Sequence, residues 1–208
     1  MVYHGLMVIA PNIPYPVVLH ELPLHGETFS LIGLEIRSFP LNHGVPCLGY
    51  RFALHRKPAF APERAKALRI PVQLWKSLQA GTTVLVDGRE IPPEAVQGEA
   101  RKGLSFVYAT DTRPVDAIAE AGFRSDLMIL EGMYGGEDKI PQAKKNHHML
   151  FRESAALAQL AETKQLLLTH FSTCIEDPLE YLPNAQAIFP NTEVAVDCGT
   201  LKLEFEKR

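Results

Sequence analysis

Short runs of branched and aromatic residues recur along the chain, bounded by Gly, Pro or Asp. They are Val17–His20, Phe29–Ile32, Leu34–Phe39, Leu48–Leu54, Thr83–Val86, Leu104–Ala109, Leu127–Leu130, Leu166–Thr169, Glu193–Val196 and Leu201–Phe205. Runs of this length and composition predict strands. Between several of them the apolar spacing lengthens to a helical period. In Phe151–Ala161, Ala155, Ala158 and Ala161 join Leu157 and Leu160 on one face, which predicts a helix. Further helices are predicted over Pro62–Leu68, Val72–Gln79, Val115–Ala121 and Leu179–Ile188. Pro62, Pro71 and Pro114 stand near helix starts, where a missing N–H costs nothing. The tract Lys139 to Lys145, behind Gly135-Gly136, reads as a solvated loop that could also meet phosphates by point charge.

The second half alternates strand and helix from Leu104 to Val196, which argues for α/β layering. The first half is a β-rich run ending in a proline-bearing segment, Arg56 to Gly81, with alternating charge and the sole Trp75. That segment, 56–81, is a projecting arm or a surface crossover. A chain of 208 residues, 46% hydrophobic and 22% charged, is one domain with a sizeable core. Its formal net charge of −3 supplies no global field for nucleic acid, although a local basic patch can still steer RNA. Cys47, Cys174 and Cys198 are odd in number, far apart and form no CxxC; they read as buried, reduced thiols of a cytosolic protein. Met1 to Ala10 lacks both the basic start and the small-residue cleavage site of a signal peptide. No apolar run approaches the roughly 18–20 residues of a membrane span.

His43, Asp111 and His170 each sit just past a strand-like run, where a sheet holds the backbone and lets the side chain project. Singly, each has a plain explanation: a hydrogen-bonded histidine, or an aspartate making an Asx-turn or helix cap before Thr112-Arg113-Pro114. His4, His20, His25 and His55 show no ligand spacing. Jointly the segments say more. Asn42-His43-Gly44-Val45-Pro46-Cys47-Leu48-Gly49-Tyr50-Arg51, Thr110-Asp111-Thr112-Arg113, Asn146-His147-His148-Met149 and Leu168-Thr169-His170-Phe171-Ser172 follow one another in that order. This series resembles the C-terminal part of ribonuclease Z, the zinc-dependent tRNA 3′-end endonuclease of the metallo-β-lactamase fold.

The resemblance implies an αββα layered sandwich, with this chain forming one N-terminally incomplete domain over 1–208. It implies that His43 binds a first zinc, that Asp111 bridges two zinc ions, and that His170 binds the second. Thr110 stands where the family commonly has Gly. It further implies that His148 donates a proton to the leaving 3′-oxygen and that Glu131, at the end of Leu127–Leu130, orients it. The distance to the Leu-Thr-His segment favours His148 over its neighbour His147. The family's main metal motif, His-x-His-x-Asp-His, occurs nowhere in these residues. Since persistent zinc sites keep three or four protein ligands, the chain alone is expected to bind zinc weakly and to lack activity. Precursor tRNA is the implied substrate, with no membrane, and a homodimer and an N-terminal complementing segment as partners. A non-catalytic RNA- or protein-binding module, or a half-protein needing its other part, remain the alternatives.

Overall fold

The computed structural model describes residue 5, residues 8–10 and residues 12–206. His4 and much of the Met1–Ala10 stretch lie outside the described residues. Nine strands are named among them. Seven form one sheet in the order β1 (Thr28–Leu31), β2 (Leu34–Pro40), β3 (Leu48–Leu54), β6 (Leu104–Ala109), β7 (Leu127–Glu131), β8 (Leu166–Thr169) and β9 (Thr192–Val194). The β1–β2–β3–β6 pairings are antiparallel, and the β6–β7–β8–β9 pairings are parallel. Short loops join β1 to β2 and β2 to β3, the longer segment 55–103 joins β3 to β6, and helices carry each later crossover, as parallel neighbours require.

Alternation along the strands separates two faces. Phe39, Val107, Ala109, Met128, Leu130, Leu166 and Leu168 are buried on one face. Three helices cover them: α3 (Asp116–Gly122), α5 (Phe151–Leu160) and α6 (Leu182–Gln186), through Ile118, Ala121, Phe151, Ala155, Ala158 and Ala185. The intervening positions point the other way. Register pairs Tyr50 with Tyr108 and Phe52 with Phe106, and the Phe52 and Phe106 rings stack at 4.5 Å. That face also carries Ile129 and Leu167, both half-buried, and Tyr108 at 42% exposure. One side of the sheet is therefore a sealed core, and the other is apolar and aromatic, buried at Ile36, Ser38 and Leu127 but open at Tyr108.

Residues 56–103 form a second, smaller packing unit between β3 and β6. Here α1 (Pro62–Ala67), α2 (Val72–Ala80) and the hairpin β4 (Val84–Val86)–β5 (Arg89–Ile91) bury Ala65, Ile70, Leu78, Val84, Val86, Ile91 and Val96. Trp75 packs on that cluster and donates its indole N–H to the Ile70 carbonyl at 3.0 Å.

Several expectations need correction. Val17–His20 forms no strand: Pro14, Pro16 and Pro23 remove ladder donors around it, and Val18 is 80% exposed. Leu201–Phe205 joins no ladder either; Lys164 pairs with Glu206, and Arg56 lies over the Phe205 ring at 4.1 Å. Lys139 to Lys145 is no open loop. It is largely helix α4 (Ile140–Asn146), opened by a proline in its first turn and anchored by the fully buried Ala143. With a single apolar anchor, its periodicity had little to show. The helix predicted over Leu179–Ile188 shortens to α6, preceded by a 3-10 turn, Pro178–Glu180, because Pro183 resets the start.

Candidate metal centre

The parallel strands β6, β7 and β8 end at one edge, and loops leaving that edge are where such sheets present ligands. Asp111 follows β6 and His170 follows β8. Glu131 is the last residue of β7. His43 reaches the same edge because β2 runs antiparallel to β3, which is antiparallel to β6. The turn between β2 and β3 thus opens beside the end of β6. Hydrogen bonds lock it there: Asn42 N–H donates to Thr112 Oγ1 at 3.0 Å, and Arg113 N–H donates to the Asn42 carbonyl at 2.9 Å.

Asp111 and His170 both hold left-handed backbone conformations, at φ 58 and 55 degrees. Such conformations are uncommon for residues other than glycine, and Asp and His tolerate them best. Local strain of this kind gathers at functional sites. Here it turns both side chains back over the strand ends.

The result is a convergence on one carboxylate oxygen. His170 Nε2 lies 3.1 Å from Asp111 Oδ1, and His43 Nε2 lies 3.8 Å from the same atom. The other oxygen, Oδ2, takes the Thr110 hydroxyl at 3.4 Å. Ligand atoms around a tetrahedral zinc, with bonds of 2.0–2.2 Å, stand roughly 3.3 Å apart. The two separations fall either side of that value, so this N/O donor set suits a divalent zinc-like ion. One feature is incomplete: His43 Nδ1 is buried with no hydrogen-bond partner, whereas a ligating imidazole normally donates its second N–H.

His148 stands beside this cluster, its ring 5.3 Å from that of His43 and 5.6 Å from that of His170. Its Nδ1 meets Glu131 Oε2 at 2.8 Å. Glu131 is fully buried and accepts the Thr112 N–H at 2.7 Å through Oε1. Burial pushes the Glu131 carboxyl up to about 8, against the pull of the Thr112 and Met149 N–H groups. Burial also pushes the His148 imidazole down, opposed by the Asp111 charge. The same desolvation acts on both groups and disfavours the charged form of each. His43, Asp111 and His148 offer ligand atoms all within 4.8 Å of one another. That geometry includes His148 rather than His170, although the direct contact to Asp111 is made by His170.

His147, one residue earlier, caps α4 in the left-handed region at φ 59 degrees. Its Nδ1 lies 3.2 Å from Asn42 Oδ1, and a Cβ on Gly44 would come within 3.3 Å of its ring. Gly44 itself has φ 78 degrees, so glycine serves both the turn and the imidazole stacked on it. Sequence reasoning missed this contact, and it missed the ion pair between Arg113 and Glu153. Glu153, three residues after Leu150, has the reach of a helix-capping carboxylate, but nothing in the sequence pairs it with Arg113.

No family model matches the chain. Individual proteins do. A ribonuclease Z of Lachnospira eligens is 43% identical over 205 residues, covering 99% of this chain and 67% of that protein. A ribonuclease Z of Clostridium acetobutylicum is 39% identical over 211 residues, covering 99% and 68%. The chain belongs to the ribonuclease Z family. It is thereby a member of a family of hydrolytic nucleases, and it spans about two thirds of the length of these relatives. Solved structures agree on the fold. A human tRNase Z, short form, superposes with a TM-score of 0.52 at 16% identity, covering 88% of this chain and 48% of that one. A metallo-β-lactamase fold protein of Bacillus subtilis gives 0.51 at 18% identity, covering 81% and 49%. Among the described residues no helix is long and apolar enough to cross a membrane.

Proposed function

We propose that this chain is the larger part of a zinc-dependent endonuclease that cuts precursor tRNA at its 3′ end in the cytoplasm. The observation that carries this is the convergence of His43 and His170 on Asp111 Oδ1, with the His148–Glu131 pair beside it. RNA as substrate rests on the relatives' name alone. In this reading Asp111 would be shared by two zinc ions, with His43 holding one and His170 the other. The chemistry zinc supplies in such a site is charge stabilisation at the phosphodiester and a nucleophile available at neutral pH.

The chain's own residues supply the proton handling. Glu131 occupies His148 Nδ1, which fixes the ring and leaves Nε2 to give its proton to the departing 3′-oxygen. When the imidazole charges, the carboxylate stabilises it. The close set His43, Asp111 and His148 favours a second reading, in which His148 is itself a ligand and Glu131 its outer carboxylate. His148→Ala decides between them: a proton donor's loss leaves zinc bound, a ligand's loss does not.

Three side chains spread over two metal positions fall short of the three or four that hold one persistent zinc. The chain alone is therefore inactive in this proposal, and a complementing segment supplies the His-x-His-x-Asp-His ligands while covering the open aromatic sheet face. Self-association into a homodimer is the alternative use of that face. The test is cleavage of a precursor tRNA by the purified chain. Robust zinc-dependent cutting by the chain alone, abolished by Asp111→Ala, would overturn the inactivity; no cutting even with a complementing segment would overturn the nuclease assignment.

A further inference from the structure

We infer that Arg113, acting through Glu153, is the positioning residue that sets His148 at its distance from Asp111. The inference rests on the reading of His148 as proton donor and adds a residue to which that reading gives no role. Arg113 meets three site segments at once. Its backbone N–H holds the Asn42 carbonyl at 2.9 Å, beside His43. It is two residues past Asp111. Its guanidinium donates from Nη1 to the His148 carbonyl and, at 2.9 Å, to Glu153 Oε2, while Nη2 donates to Glu153 Oε1. Glu153 Oε2 in turn accepts the Leu150 N–H at 2.9 Å. The turn 148–150 is thus gripped by its first carbonyl and its last N–H, both through one ion pair.

The pair is mostly enclosed, with side-chain exposures of 15% for Arg113 and 23% for Glu153. Enclosed ion pairs add little net stability over apolar packing, because desolvation offsets the attraction. Direction is what they supply, since a guanidinium fork fixes two acceptors in one plane. Glu131 secures the His148 ring at Nδ1 and takes the Met149 N–H, but it reaches neither the His148 carbonyl nor the Leu150 N–H. The Arg113–Glu153 pair holds those two groups, and it ties that backbone to the Asp111 loop.

The test uses the 208-residue chain with Arg113→Met, which keeps length and apolar bulk, and with Arg113→Lys and Glu153→Gln. The readout is proton NMR of the hydrogen shared by His148 and Glu131, with amide exchange across β6, β7 and β8 as the control. Arg113→Met should leave strand protection intact while that proton exchanges with water roughly tenfold faster or more, the scale on which outer-shell partners act. Arg113→Lys should recover only part, because an ammonium lacks the planar fork. An unchanged proton in Arg113→Met would overturn the inference. Equal loss of protection throughout the three strands would overturn it too, by showing a merely structural role. This readout needs neither RNA nor zinc. In the complemented enzyme, a His148→Ala variant cutting at full rate would remove the proton-donor reading and leave the positioning result standing. If both hold, Arg113→Met should lower kcat about 10–100-fold with KM and zinc content unchanged.

Discussion

At the scale of single residues, adjacent side chains do separable jobs. Among the described residues Asp111 is the carboxylate that both His43 and His170 approach, so Asp111→Ala should weaken zinc binding about tenfold or more, read by equilibrium dialysis. In a complemented enzyme it should abolish turnover. His148→Ala should keep zinc and slow cleavage about 10²–10⁴-fold, the range of general acid–base help; elemental analysis and single-turnover cleavage separate the two effects. Gly132 tests packing next to the same pair. A Cβ there would fall 2.8 Å from the Phe151 ring, which is fully buried. The ring has nowhere to retreat, so Gly132→Ala should destabilise the fold by about 1–3 kcal/mol, measured by urea unfolding.

Among elements, the unit at residues 56–103 has its own core, separate from the one beneath the main sheet. Leu78 is 3% exposed within it. Leu78→Ala should cost about 2–5 kcal/mol of local stability and accelerate amide exchange in α2 and β4, while β6–β8 stay protected. The sequence predicted both helices and a strand at Thr83–Val86 here, but read segment 56–81 as an arm or a crossover rather than as a packing unit. Strand β5 is three residues long, too short for a period to declare itself, and Arg89–Ile91 went unseen. The long, apolar-rich strands Leu48–Leu54 and Leu104–Ala109 were legible to the residue, because burial on alternate sides writes directly into composition. Helix α4 was illegible because only Ala143 is buried. In the site, His43, Asp111, Glu131, His148 and His170 were named from the resemblance of their segments to ribonuclease Z, and the fold brings their side chains to one edge of the sheet. Arg113 with Glu153 could not: their partnership spans forty residues and depends on where the turn at 148–150 folds back.

For the whole molecule, the two ends of the parallel sheet carry different electrostatics. Opposite the site, Asp126 is 6% exposed, accepts the Ser105 N–H at 2.8 Å and faces Lys102 and Lys164. Burial alone would raise its carboxyl, but the hydrogen bonds and lysine charges overcome this and hold it below the usual carboxylate value. A folded-state value below the unfolded one, about 3.9, gives stability that is present above the unfolded value and lost as pH falls through the folded one. Asp126→Asn should therefore cost about 1–3 kcal/mol near neutral pH and progressively less in acid below about pH 4; urea melts across that range check the sign.

The sheet's aromatic face is where the proposed complementing segment would dock. Tyr50, Phe52, Phe106, Tyr108, Ile129 and Leu167 lie together on it, and apolar patches of this kind mark places where another surface docks. The part of the Clostridium acetobutylicum ribonuclease Z that this chain does not match, supplied in trans, should quench hydrophobic-dye binding and raise zinc affinity together. A version with the His-x-His-x-Asp-His residues changed to alanine should still quench the dye but leave zinc affinity low, because it restores the cover without the ligands. Tyr108→Glu should prevent both effects by putting a charge on the docking face. If the added part raised zinc affinity without touching the dye signal, the sheet face would not be its seat. If the alanine version raised affinity as well, the ligand count would not be what limits this chain.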